Sequence, residues 1–224
     1  MQNWKRGLAA TLLASVLVVP MVSMAEGDDP VPEGKRIVAK TMIKEFNPTW
    51  GEAADLQKRT WLATNQLTVA NTQLITASGA GADAELSVAI DQMKETAGDN
   101  LVLALEDGGT PKITAKDDAP QEAKDVAVEA DKAASEGNKV LIQSTKLVEE
   151  GEQLLEKASA LPDKLKNDPN LLKSNGLKIK DLKKAIEQQN NNLKKLKATV
   201  ERAKMTQEEA TTFVGAIKGL AAAE

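Results

Sequence analysis

The chain contains no cysteine, no histidine and no tyrosine, and aromatic residues make up only 2% of its 224 positions. Without cysteine there is no disulfide, no thiol nucleophile and no cysteine to carry the lipid of a lipoprotein. Without histidine there is no imidazole general base and no histidine-held haem or transition metal. The 14 glycines nowhere take the spacing of a Walker loop, a Rossmann fingerprint or a nucleophile elbow. The carboxylate pairs Asp28-Asp29, Asp117-Asp118, Glu149-Glu150 and Glu208-Glu209 are sequence neighbours, which on a helix do not face one another. No cofactor or metal is implied, and the expectation is a non-enzymatic protein. So few large rings also suit a β-sandwich or barrel poorly, and favour a bundle built from Ala, Leu, Val and Ile.

What is present begins with Lys5 and Arg6, an apolar run from Leu8 to Val19, then Pro20 and Ser23-Met24-Ala25. A charged region, a short apolar core and small residues at a cleavage site read as a secretory signal peptide spanning residues 1–25. The apolar run falls short of the roughly 20 residues a membrane span needs. The expected destination is the bacterial periplasm or the extracellular space. Residues 26–47, polar at the start and carrying Pro30 and Pro32, read as a flexible mature N-terminus, within which Arg36 to Phe46 is open to a short helix or a strand that periodicity does not decide. Residues 48–224 read as a helical bundle domain.

Within that domain six small residues recur every seven positions: Ala123, Ala130, Gly137, Ser144, Gly151 and Ala158. Apolar residues follow three positions after each, from Val126 to Leu161, and four positions after the first five. This is the stripe of a long amphipathic helix with a closely packed seam. It opens at Asp118-Ala119-Pro120 and stops at Pro162. A second stripe follows through Leu182, Ile186, Gln189, Leu193, Leu196, Val200, Ala203, Ala210, Phe213, Val214, Ile217 and Leu220. Together they predict a long coiled-coil-like hairpin over residues 120–222. An earlier helix starts at Asn47-Pro48, with Asn47 as its cap, and breaks near residue 78. Another is capped by Asp83 and ends at Gly98-Asp99-Asn100. Residues 101–115 read as a small β-hairpin around Asp107-Gly108-Gly109; the alternative is a helix continued to Glu106 and then a loop. The fold class expected is mainly α, an elongated antiparallel helical bundle. By propensity alone, Gly137→Ala would gain roughly 1 kcal/mol, whereas Leu at Gly151 or Ala130 would overpack the seam.

Charge is unevenly distributed. Residues 116–160 hold 11 acids and 6 bases, and residues 161–205 hold 5 acids and 12 bases. The plain reading is pairing across the hairpin; the functional one is a basic surface for a polyanion or an anionic membrane face. Lys164, Lys166, Lys173, Lys178, Lys180, Lys183 and Lys184 gather at the bend. No aromatic residue is interleaved for base stacking, which argues against nucleic acid and for an acidic protein or an anionic envelope component. The run Gln188 to Asn192 forms a polar belt. If the hairpin closes near residue 169, Gln189 and Asn192 face Lys146 to Glu149 near Ser144, as a register-fixing polar layer or a small-ligand pocket. Val128 and Ile142 lie off the main stripe, toward the first helix or a second subunit.

These readings converge on an exported, non-catalytic interaction or scaffold protein that binds a protein partner, or itself, through helical surfaces. The alternatives are a membrane-active helical protein of the pore-former kind and a small-ligand-binding bundle. For the former, the best apolar segment, Leu101 to Leu105, could lie in a membrane interface but is too short to span.

Overall fold

The computed structural model describes residues 29–81, 83–106 and 109–220. The expected signal peptide, residues 1–25, lies outside the described residues. The chain divides into residues 1–30 and 31–224, and every helix and strand among the described residues belongs to the second unit.

Three long helices build it: α1 (Asn47–Ala77), α3 (Gln121–Ser159) and α6 (Leu182–Lys218). Between them come α2 (Leu86–Ala97), β1 (Leu101–Leu105), β2 (Pro111–Ala115), α4 (Leu161–Asn167) and α5 (Asn170–Ser174). Helix α1 starts with Pro48 in its first turn, where the missing N–H costs nothing. It ends before Gly79, whose φ of 75° supplies the left-handed residue that stops a helix. Asn47 does not cap α1. Its Oδ1 accepts from the Thr41 N–H (2.7 Å) and the Thr41 hydroxyl (3.1 Å), fixing the turn into the helix. Helix α2 begins at Leu86 after Glu85, beyond the expected cap at Asp83. Helix α3 ends at Ser159, and Pro162 opens α4 in its place.

All six small residues of the α3 seam are buried. Helix α3 packs along both α1 and α6 and runs antiparallel to each: Gly151 meets Val200 and Leu56, and Gly137 meets Phe213 and Val214. Helices α1 and α6 run parallel, joined by Gln57–Thr199 and Thr64–Thr206 hydrogen bonds. The seam is tight where glycine stands. A Cβ added at Gly137 would lie 2.5 Å from Phe213 Cδ1, and one at Gly151 would lie 2.8 Å from Val200 Cγ2. The propensity argument for Gly137→Ala therefore omits the ring that occupies the space.

The β-hairpin forms as expected. Its strands pair antiparallel with Leu101 opposite Ala115 and Leu105 opposite Pro111, and β2 lies against α3. Ile113 N–H donates to Asp131 Oδ1 (2.8 Å), and Asn138 Nδ2 donates to Thr110 Oγ1 (2.9 Å). Among the described residues no helix is long and apolar enough to cross a membrane.

The boundary of the bundle differs from the sequence reading. Residues 26–28 lie outside the described residues, but Ile37, Ile43 and Phe46 sit in the core rather than ahead of it. Residues 35–46 form a strap across α1 and α6.

Candidate functional site

The strap explains the polar belt. An extended segment with no strand beside it must find partners for its backbone groups elsewhere. Here side-chain amides supply them. Asn192 brackets Val38, accepting from its N–H (3.0 Å) and donating to its carbonyl (2.8 Å). Gln57 accepts from Ile37 N–H (2.9 Å) and donates to the Lys35 carbonyl (3.0 Å). Gln188 accepts from Met42 N–H, and Asn175 from Lys44 N–H, each at 2.9 Å. Gln189, fully buried, accepts from the Trp50 indole. Its Nε2 has no hydrogen-bond partner among the described residues.

Ser144 is not part of this group. Its hydroxyl bonds back to the Leu141 carbonyl, and its neighbour Thr145 accepts from Gln207. The hairpin turns around Asn175 and Gly176 instead of residue 169, so Gln189 and Asn192 lie well beyond Ser144 along the bundle. The structure thus brings Gln189 and Asn192 together with Trp50 and the strap, and leaves Ser144 elsewhere.

The lysines do gather at one end. In α4 and α5 the leucines Leu165, Leu171 and Leu172 turn into the core, which leaves Lys164, Lys166 and Lys173 outside. Lys178, Lys180, Lys183 and Lys184, from the turn before α6 and its first residues, are exposed as well. Among the described residues, Lys166 is the only one of the seven in an ion pair, with Asp163 at 2.7 Å. The other nearby acids serve the backbone and neighbouring polar groups. Asp168 accepts from Asn170 N–H and Asp181 from Lys178 N–H. Glu45 accepts from Asn175 Nδ2 (2.7 Å) and Ser174 Oγ (2.9 Å). Those bonds, the Asn175 amide first, hold the Glu45 carboxyl below the usual glutamate range. At the centre of the lysines Ile179 stands 83% exposed.

Elsewhere several charged groups are matched to one another, while buried Asn71 Oδ1 and Gln92 Oε1 have no hydrogen-bond partner among the described residues. Arg59 reaches Asp55 (2.8 Å) and Glu150 (2.6 Å). These contacts, the bond to Glu150 foremost, raise its pKa further. The three side chains line an open cleft of about 260 Å³ between α1 and α3. Lys204 pairs with Glu152 across α3 and α6, one instance of the expected pairing across the hairpin. Arg202 stacks on the Trp61 ring at 3.8 Å. Among the described residues no group of three or more acidic, histidine or cysteine side chains is placed to hold a metal ion. Val128 and Ile142 are 64% and 51% exposed.

Sequence reasoning missed the strap. The signals available were amides at Gln57, Gln188 and Asn192, together with apolar Ile37, Ile43 and Phe46 in a segment too short to read by periodicity. A scan of protein-family models found no match to this chain, and neither curated proteins nor solved structures gave a significant one.

Proposed function

We propose that this is an exported, non-catalytic interaction protein whose lysine-rich end docks to an anionic component of the cell envelope or an acidic protein. The carrying observation is the imbalance at that end. Six of the seven lysines have no ion-pair partner among the described residues, and residues 161–187 carry those seven lysines against four acids, Asp163, Asp168, Asp181 and Glu187. An end bearing excess positive charge attracts anions and speeds their encounter. Export is supported by the charged, apolar and small-residue pattern of residues 1–25. A binding role without catalysis fits a chain lacking thiol and imidazole, in whose cleft Arg59 is paired with Asp55 and Glu150.

The test is fluorescence anisotropy of labelled polyphosphate and polyglutamate with the chain from residue 26 onward. The comparison is a triple variant, Lys178→Glu, Lys180→Glu and Lys183→Glu. Salt-sensitive binding that the variant weakens about a hundredfold, roughly 1 kcal/mol for each lost cation, supports the reading. No binding to either polymer at low salt refutes it.

A further inference from the structure

The hairpin has one guarded edge and one open edge. Glu106 N–H donates to the Thr110 carbonyl and Lys116 N–H to the Asn100 carbonyl. With the register of the strands, this puts even-numbered β1 residues in the bonded pairs and turns Leu101, Leu103 and Leu105 outward at the backbone. The corresponding edge of β2 is protected: Pro111 has no N–H, Ile113 N–H is taken by Asp131, and α3 lies alongside. On β1, Leu101 N–H bonds to the Gly98 carbonyl. The outward N–H and C=O of Leu103 and Leu105 have no partner among the described residues.

Strand β1 carries none of the usual protections. Edge strands are commonly blunted by charge, proline or a bulge, and Leu101–Leu105 has no charged residue and no proline. Leu105 is 62% exposed. We propose that this edge accepts an extended segment of a partner protein, apolar at alternate positions and basic at its ends, which extends the hairpin to three strands.

Charge and size select that occupant over a second copy. Exposed Asp99, Asp117 and Asp118 flank the start of β1, and exposed Glu106, paired with Lys112 at 3.0 Å, stands at its end. Antiparallel pairing of two β1 strands about Leu103 would carry each Glu106 past the other copy's Asp99. A five-residue edge also buries far less than the roughly 1,200 Å² of a stable dimer. A lysine or arginine on a partner segment meets Asp99, Asp117 and Asp118 favourably, since none of the three has an ion pair among the described residues.

The probe is a short soluble peptide alternating valine and threonine between terminal lysines, titrated into the isotopically labelled chain and followed by amide NMR. The expected result is perturbation centred on residues 101–105. Leu105→Pro removes an outward N–H without touching a hairpin bond, as Pro111 does on the facing strand, and should weaken binding about tenfold or more. Leu105→Lys, should the proline variant fail to fold, guards the edge by charge and should do the same. A peptide with glutamate ends should bind about tenfold more weakly. The proposal is overturned by no perturbation at millimolar peptide, by binding unchanged in both variants, or by perturbation centred on the strap. It is equally overturned by self-association of the chain that Leu105→Pro abolishes, since the occupant would then be a second copy.

Discussion

Gly137→Ala sets two physical terms against each other. Alanine is the better helix former by about 1 kcal/mol, so a view limited to α3 expects stabilisation. The partner helix reverses the sign. The added Cβ would sit 2.5 Å and 2.7 Å from Phe213 Cδ1 and Cε1 and 3.4 Å from Val214 Cγ2, whereas carbon atoms pack best at about 3.5–4.0 Å. The ring must therefore move by about 1 Å. Phe213 is only 2% exposed, so it has no open side to move into. Overpacking of this kind costs about 1–3 kcal/mol, leaving a net loss of about 1 kcal/mol after the propensity gain. For a domain of this size that lowers Tm by about 2–4 °C. Gly51→Ala is the control: it lies in α1 with nothing within 4 Å of its added Cβ and should gain about 0.5–1 kcal/mol. Both are read by thermal unfolding followed by circular dichroism. Phe213→Leu combined with Gly137→Ala should cost less than the two single changes added together. If Gly137→Ala melts at or above the parent while Gly51→Ala behaves as expected, the close approach of α3 and α6 at this layer is wrong.

Three further outcomes follow from named contacts. Asn192→Ala removes both hydrogen bonds to Val38 and should cost about 1–2 kcal/mol in urea unfolding, with faster amide exchange at Val38; unchanged exchange there would contradict the bracket. Because the Glu45 pKa is depressed in the folded state, its contribution is present above the ordinary glutamate value and is lost as pH falls through the lowered one. Glu45→Gln should therefore flatten the loss of stability in that acid window, seen as melting temperature against pH; an unaltered profile would show that its bonds to Asn175 and Ser174 do not matter. Expressed with its full sequence in a bacterium, the chain should be recovered outside the cytoplasm with Glu26 first, and intact mass spectrometry finding residues 1–25 retained would refute export by cleavage.

The parts legible in the sequence are those that repeat. The α3 seam announces itself because a helix meeting neighbours along its whole length must present small residues at every turn of contact, and all six are buried. The β-hairpin is legible from its glycine-rich turn and apolar strand. The strap is not, because its bonds join residues as far apart as Val38 and Asn192, and a side-chain amide does not reveal which backbone it will meet. The position of the bend is hidden for a related reason. Leu165, Leu171 and Leu172 fold α4 and α5 back onto the core, so the connection is not a simple loop with its midpoint near residue 169. The lysine cluster and its excess charge are visible in the sequence, but the scarcity of ion pairs within it is not, since that depends on where these side chains point once Leu165, Leu171 and Leu172 turn inward.

A seam that repeats every seven residues leaves a question of register, because sliding α6 along α3 by seven residues would again place small residues opposite large ones. The features that lift this degeneracy are the ones that do not repeat. Phe213 needs the depth that only a glycine provides, and within the seam glycine stands at 137 and 151 alone. The Thr64–Thr206 contact discriminates weakly, since Thr199 is another threonine one heptad away. Gln57 discriminates strongly, because it must reach Ile37, Lys35 and Thr199 together, and a slip would leave polar atoms stranded in a buried site at about 1–3 kcal/mol each. Asn192 adds the same constraint from α6 through Val38. The strap thus fixes the position of α1 relative to α6 while the glycines fix α6 relative to α3. The amide belt, which in the sequence alone reads as a register-fixing polar layer or a pocket, has its Gln188 and Asn192 side chains bonded to the strap, bonds that a slipped register would break.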